Sequence, residues 1–421
     1  MQGEIKPGYI QTEVGVIPED WGYDKLHRFV VEHRSGIYKK SATYGDGCNI
    51  VGVADIYGIS AVDGRIFNRV PLSKDELKIF VLQPGDLLYG ESSLVREGIA
   101  RTVFVKNGGE GTAFAWHTRR YRVRQQDLDS EYLFYFLQSD LARQHMMSNA
   151  IQTALTGINT VAYFSCPVLV PHLSEQRAIA AALADADKLI AALERMIAKK
   201  RDLKQAAMQH LLTGKTRLPG FSGEWEVKPI GPEIDLLTGH PFPSTGYSSK
   251  GIRLLRGSNV KRGRTDWSHE ILQYWPAVTS DLARYELADG DLVIAMDGSL
   301  VGKSFARISN TDLPALLLQR VARIRSKKID TGYLAQFVGS DDFIGYCDSV
   351  KTVTAIPHIS PQDIRNFRIP IPPTIAEQTA IAEVLSDMDA NLAALEAQVA
   401  KARAVKQGMM QELLTGRVRL V

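Results

Sequence analysis

The sequence predicts an α+β protein: two α/β-type globules separated by two long antiparallel coiled-coil helices, related by an internal pseudo-two-fold duplication. Three observations predict it. A long stretch recurs with a shift of 202 residues, from Pro171 to Pro373. Each copy carries an apolar seam at coiled-coil spacing. Short strand-like runs fill the segments between the copies.

The repeat comes first, because a missed period miscalls a whole fold. Residues 171–218 lie on residues 373–420 without a gap, and about half the aligned positions are identical. The period is far longer than that of solenoid repeats, so half a protein has been duplicated. In the first copy Ile179, Leu183, Ala186, Ile190, Leu193 and Ile197 step by four and three. In the second Ile381, Leu385, Met388, Leu392, Leu395 and Val399 do the same. That spacing puts one apolar stripe on one long helix. Ser174 is the expected N-cap of the first helix, and Ala376 holds the weaker corresponding place in the second. Gly214 and Gly416 follow Leu-Leu-Thr and should stop each helix. The seam turns polar at Lys200, Lys204 and Lys406. Apolar positions such as Leu189, Leu203 and Met208 would stay partly bare in a simple pair, which leaves room for a partner helix, and Leu392, Val405 and Met410 are expected to meet it as well. The plainer alternative is that each helix packs fully on its own globule.

The intervening segments share landmarks but little sequence. Gly85-Asp86-Leu87-Leu88 matches Gly290-Asp291-Leu292-Val293, and Val53–Ile56 matches Gly257–Val260. Strand-like runs alternate with Gly and Asp turns, while residues 128–144 and 331–339 read as short helices. The expected organisation is a globule over 1–165, a helix over 166–225, a second globule over 226–367 and a second helix over 368–421.

Composition sets the outer bounds. With 421 residues, 45% hydrophobic and 23% charged, the chain is globular and long enough for several domains. Fifty Lys and Arg face 47 Asp and Glu, which excludes a histone-like protein but not a basic face. Cys48, Cys166 and Cys347 are too scattered for a disulfide framework and suit a reducing, cytoplasmic setting. The N-terminal residues lack the apolar core of a signal peptide, and no run is long enough to span a membrane.

Uneven divergence carries functional meaning. Helices that stay alike meet the same kind of partner; globules that differ meet different ones. Duplex DNA has two-fold axes of its own. Two unlike readers on a rigid spacer would address two unlike half-sites, roughly 34–36 Å apart.

The order and duplication of these motifs resemble the specificity subunit of type I restriction–modification systems. The residues that carry the resemblance are Ile17, Pro18 and Trp21; the Gly-Asp-Leu strand starts; Thr352 and Ile356–Ile359; and the Pro-x-x-x-Glu-Gln starts at Pro171, Glu175, Gln176 and Pro373, Glu377, Gln378, with Leu-Leu-Thr-Gly at each helix end. The resemblance implies two target-recognition domains, two adenine-methyltransferase partners and restriction–translocation partners. It implies a non-catalytic, DNA-binding chain that holds no cofactor itself. S-adenosylmethionine, ATP and Mg²⁺ would belong to the partner subunits. The competing readings are a stand-alone site-specific nuclease with its own recognition domains and a protein-binding adaptor.

Phosphate contacts need cations, and base contacts need forked or amide side chains. The candidates are Lys39, Lys40, Ser92, Ser93, Arg96, Arg119 and Arg120 in the first globule, with Trp116 and His117 beside the last two. In the second they are Arg256, Asn259, Lys261, Arg262, Ser299, Lys303 and Lys351. Charge runs are more often plain solvated surface. Two decoys are set aside. Asp297–Ser304 ends in Gly-Lys-Ser, but position 297 lacks the glycine a phosphate-binding loop requires. Asp86 and Asp291 sit in repeated turns, where Asp caps backbone N–H groups, so they are not read as catalytic carboxylates. No metal-ligand spacing and no methyltransferase motif is present, so neither a catalytic residue nor a metal site is expected.

Overall fold

The computed structural model describes residues 5–152 and 155–420. The chain forms two compact units: residues up to Glu194 together with Gln398 onward, and Arg195–Ala397. The division passes through both long helices, so each unit combines one globule with one portion of each helix.

Unit 1 is built on a five-stranded sheet. Its strands are β1 (Val30–Ser35), β2 (Ala61–Val62), β3 (Leu87–Gly90), β4 (Thr102–Val105) and β5 (Thr118–Val123), in the order β1-β5-β3-β4-β2. Only the β4–β2 pairing is parallel. Helices α1 (Ser130–Phe136) and α2 (Asp140–Ser148) follow, where the sequence suggested one helix over 128–144. Ser139 explains the break: its hydroxyl accepts from the N–H of Ala142 and starts a new helix. The long helix α3 (Leu173–Leu211) begins in this unit.

Unit 2 repeats the plan with β6 (Asp235–Thr238), β7 (Leu292–Ala295), β8 (Phe305–Arg307) and β9 (Val321–Arg325), in the order β6-β9-β7-β8. Helices α4 (Thr331–Val338) and α5 (Asp341–Val350) follow, and then the long helix α6 (Ile375–Leu413). The correspondence extends to register. In unit 1 Ala113 pairs with Ile50 in parallel; in unit 2 Leu316 pairs with Leu254. The duplication therefore covers the globules as well as the helices.

Both long helices span 39 residues and end just before Gly214 and Gly416, which have φ of +70° and +71°. That conformation suits glycine, and the expected stops are in place. The expected cap at Ser174 is not, because α3 already begins at Leu173 and Ser174 lies in its first turn. In α6 the start moves likewise, and Thr374 accepts from the N–H of Glu377 at 3.2 Å.

Within each unit the helices run antiparallel. Asp187 meets Lys406 at 2.6 Å and Glu194 meets Arg403 at 2.5 Å in unit 1. In unit 2 Asp389 meets Lys204 at 2.5 Å and Glu396 meets Arg201 at 2.5 Å. These are the same two pairs under a shift of 202. Ile179 and Leu183 enter the unit 1 core together with Leu413 and Leu414, while Ile381 and Leu385 enter the unit 2 core with Leu211 and Leu212.

The repeated Glu-Gln pair joins helix to globule. Gln176 Oε1 accepts from the N–H of Asp129 at 2.7 Å, and its amide donates to Pro171 O and Asp127 O. Gln378 repeats this with Asp330 at 2.8 Å and Pro372. Glu175 and Glu377 are fully buried and accept from Arg419 and Arg217 respectively.

Candidate nucleic-acid interface

The Gly-Asp turns set the strand edges from which the candidate loops spring. Asp86 accepts from the N–H of Gln83, and Asp291 from the N–H of Ala288, each at 2.8 Å. Each carboxylate also holds an arginine from the neighbouring strand, Arg122 at 2.6 Å and Arg325 at 2.5 Å. Those hydrogen bonds raise both guanidinium pKa values. Asp86 and Asp291 are structural, as their turns suggested.

Beyond each turn three loops converge, held by matching backbone bonds. In unit 1 Glu91 N donates to His117 O at 3.0 Å, Ile158 N donates to Glu91 O at 3.1 Å, and Ser92 pairs with Gly157. In unit 2 Met296 N donates to Arg320 O at 2.9 Å, Ile359 N donates to Met296 O at 2.9 Å, and Asp297 bridges to His358. The loop after the Gly-Asp strand, the turn before β5 or β9 and the segment ahead of the long helix thus share one end of each globule.

That end exposes apolar side chains beside polar ones. Leu94, Val95, Trp116, Ile151 and Leu155 are exposed in unit 1, and Leu300, Val353 and Ile356 in unit 2. Trp116 stacks on His117 at 4.4 Å and meets Tyr38 edge-on at 5.1 Å. In unit 2 a recess of about 380 Å³ is lined by Ser258, Lys261, Asp297, Ser299, Gln319 and Arg320. Two of the sequence candidates, Lys261 and Ser299, are brought together there.

Three candidates, Arg120, Ser93 and Asn259, are withdrawn because they are buried inside the fold, and a fourth, Arg256, is half-buried. Arg120 is buried, ion-paired with Glu32 and set over the Phe114 ring, and burial lowers its pKa. Ser93 is buried and accepts from the N–H of Val95. Asn259 is buried, its side chain accepting from Arg256 N and donating to Asp266 O. Arg256 donates to Ile271 O at 2.6 Å.

The others are at or near the surface in different states. Arg119 pairs with Glu91 at 2.8 Å, Lys39 with Glu76 at 2.8 Å and Lys351 with Asp348 at 2.5 Å. Lys261 approaches Asp266 at 3.7 Å. Arg96 donates to Met147 O at 3.0 Å, and Arg262 to Gly339 O at 3.2 Å. The Ser92 carbonyl accepts from the Tyr57 hydroxyl. Lys40 and Lys303 are exposed, and no hydrogen bond or ion pair holds their side chains among the described residues. Gln319, Arg320 and residues 151–152, 155–158 and 352–358, which lie at the same ends, are not among the DNA-contact candidates, because they carry no charge run.

Of the helix positions expected to face a partner, Leu189, Leu203 and Val405 are about half exposed, and Leu392 is half-buried. Met208 and Met410 are half-buried, each resting against the core of its own unit. In unit 1 Leu189, Leu193, Val405 and Met409 line an apolar groove of about 570 Å³. Among the described residues no helix is long and apolar enough to cross a membrane, and no group of three or more His, Cys, Asp or Glu side chains could hold a metal ion.

Comparison with known proteins agrees with this architecture. Residues 276–402 match the family model of the type I restriction modification DNA specificity domain. The MjaVIII type I restriction enzyme specificity subunit of Methanocaldococcus jannaschii is 26% identical over 96% of this chain and 94% of its own. The EcoAI specificity subunit of Escherichia coli is 32% identical over 39% of this chain and 28% of its own. The S subunit of a type I system from M. genitalium has the same fold, with a TM-score of 0.61 at 11% identity, covering 93% of this chain and 96% of that one. A chain solved in a study of complex assembly in a type I system gives 0.53 at 17% identity, covering 96% and 99%.

Proposed function

We propose that this chain, similar along its length to type I restriction enzyme specificity subunits, is such a subunit, that it reads an asymmetric two-part DNA site, and that it directs methyltransferase and restriction subunits to it. The observation that carries this reading is the contrast within the duplication. Sheet order, turn geometry and helix contacts repeat from unit to unit, while the loops at the exposed end of each globule carry largely different side chains.

Each globule docks on one half-site. Exposed cations such as Lys40 and Lys303 contact phosphates, which fixes position without reading sequence. Polar side chains around the recess at Ser299 and Gln319 meet base edges. The exposed apolar helix positions Leu189, Val405 and Leu203 receive helices of the methyltransferase subunits. Val405 and Leu203 are equivalent under the shift of 202, which suits two copies of one partner. S-adenosylmethionine belongs to the methyltransferase partners and ATP with Mg²⁺ to the restriction partners, and a methyltransferase must unstack the target adenine to reach it.

Exchanging residues 1–165 for another recognition domain tests the reading. In the assembled methyltransferase complex, mapping of methylated sites should show one half-site replaced and the other kept. Simultaneous change of both half-sites would defeat the two-reader proposal.

A further inference from the structure

Three residues other than glycine have positive φ among the described residues: Ala100, His117 and Arg320. His117 (φ +66°) and Arg320 (φ +67°) occupy the same place in the two globules. Both lie one residue before the strand that pairs with the Gly-Asp strand, β5 and β9. Both follow a glycine-backed approach. Gly36 N donates to Thr118 O and Gly239 N to Val321 O, and a Cβ on either glycine would strike the backbone oxygen of Ala115 or Leu318.

The turn itself is also the same. Thr118 N donates to Ala115 O at 3.2 Å, and Val321 N to Leu318 O at 3.3 Å. The third residue of such a turn, with φ above zero, favours Gly or Asn. His and Arg in that conformation are strained, and strain retained at one equivalent place in both halves points to work done by the side chain. A purely architectural turn would need no particular side chain, and here backbone geometry is common to the pair while chemistry is not.

Their surroundings fit contact with bases. His117 is exposed, stacked on the exposed Trp116, with the exposed Tyr38 beyond it. Arg320 is exposed, with Nη1 at 2.9 Å from Asp297 Oδ2, at the rim of the recess that holds Gln319, Lys261 and Ser299. An Asp partner orients a guanidinium fork, and a fork in the major groove selects the O6 and N7 of guanine.

We propose that the side chain on this left-handed turn, His117 in one globule and Arg320 in the other, is a specificity-determining residue of each half-site, with Arg320 reading a guanine. The inference rests on the DNA-reading function above and names where that reading is made.

The test uses the full chain assembled with its methyltransferase subunits, and selection from a randomised duplex library. His117→Gly and Arg320→Gly relieve the backbone while deleting the side chain, and His117→Asn and Arg320→Asn form a second pair tolerant of positive φ. All should unfold at or above the wild-type midpoint. The Arg320 variants should lose preference for guanine at one position, roughly tenfold or more, with the other half-site unchanged. The His117 variants should relax only the opposite half-site. Folded variants that select the wild-type sequence with wild-type preference would overturn the inference and leave DNA reading intact. A wild-type complex that enriches no sequence would overturn both.

Discussion

Arg419 grips Glu175 from 244 positions away in sequence, with Nε at 2.6 Å from Oε1 and Nη2 at 2.8 Å from Oε2. Glu175 is fully buried and also accepts from the Trp21 indole at 3.1 Å, while the other edge of Arg419 holds Asp20. The hydrogen bond from Arg419 lowers the Asp20 pKa, and those to Glu175 and Asp20 raise that of Arg419. One guanidinium thus ties the end of α6, the start of α3 and the N-terminal segment into one unit. Arg217 does the same for Glu377 in unit 2, at 2.6 Å.

Removal of Arg419 leaves a buried carboxylate without its counter-charge. Arg419→Ala should therefore cost about 3–5 kcal/mol in urea unfolding, and Arg217→Ala a similar amount. Adding Glu175→Gln to Arg419→Ala should recover part of the loss, because the amide oxygen still accepts from Trp21 without a charge. A double variant no more stable than the single would show that the buried charge is not the cause.

Salt dependence separates surface cations from buried ones. Every phosphate left without its neutralising cation should reduce the slope of log K against log salt by about 0.9. Lys303→Gln should show that reduction, since its ammonium is exposed and unpaired by side chains. Arg120→Met should leave the slope unchanged while costing stability, because it removes one partner of an ion pair whose guanidinium is buried. A flatter slope for Arg120→Met would return that residue to the interface.

Why Arg120 misled the reading is physical. The run Thr118–Val123 holds three arginines, and a run of charge reads as surface. In β5, however, Arg120 points inward against Phe114 and Glu32, while Arg122 reaches Asp86. Pairing across a sheet is a tertiary fact that no local pattern records. The long helices were legible because heptad spacing and a gapless repeat are local signals, and their antiparallel contacts follow from like charges recurring at 202 residues. The turn at His117 and Arg320 was not, because neither residue type announces positive φ. Loop-length differences had also moved the pair to a shift of 203, off the helix register.

Alkaline pH should weaken unit 1 more than unit 2. Burial raises the phenol pKa of Tyr89, Tyr121, Tyr132, Tyr135 and Tyr163, all in unit 1. In unit 2 the corresponding deeply buried phenol is Tyr333. A raised folded pKa gives stability that is fully present below the unfolded value of 10.0 and is lost as pH climbs through the folded value. Pulse proteolysis in urea at pH 8 and near pH 10.5, about half a unit above the unfolded phenol value, should show fragments of unit 1 released at lower urea in the alkaline sample. Equal shifts for both units would refute this assignment.

The groove beside Leu189 and Val405 makes the final prediction. Both side chains are about half exposed, and in unit 1 they line one groove on adjacent antiparallel helices together with Leu193 and Met409. Apolar surface of this kind on a helix pair is stabilised when another helix covers it. Leu189→Glu with Val405→Glu should leave the unfolding free energy within about 1 kcal/mol of wild type, about 0.5 kcal/mol for each exposed position. The same pair should abolish co-elution with the methyltransferase subunit at that face, because two carboxylates would be desolvated in the joint. Leu203→Glu should act on the equivalent face of unit 2. A variant that still co-elutes with a full complement of partner subunits would remove the groove from the assembly surface.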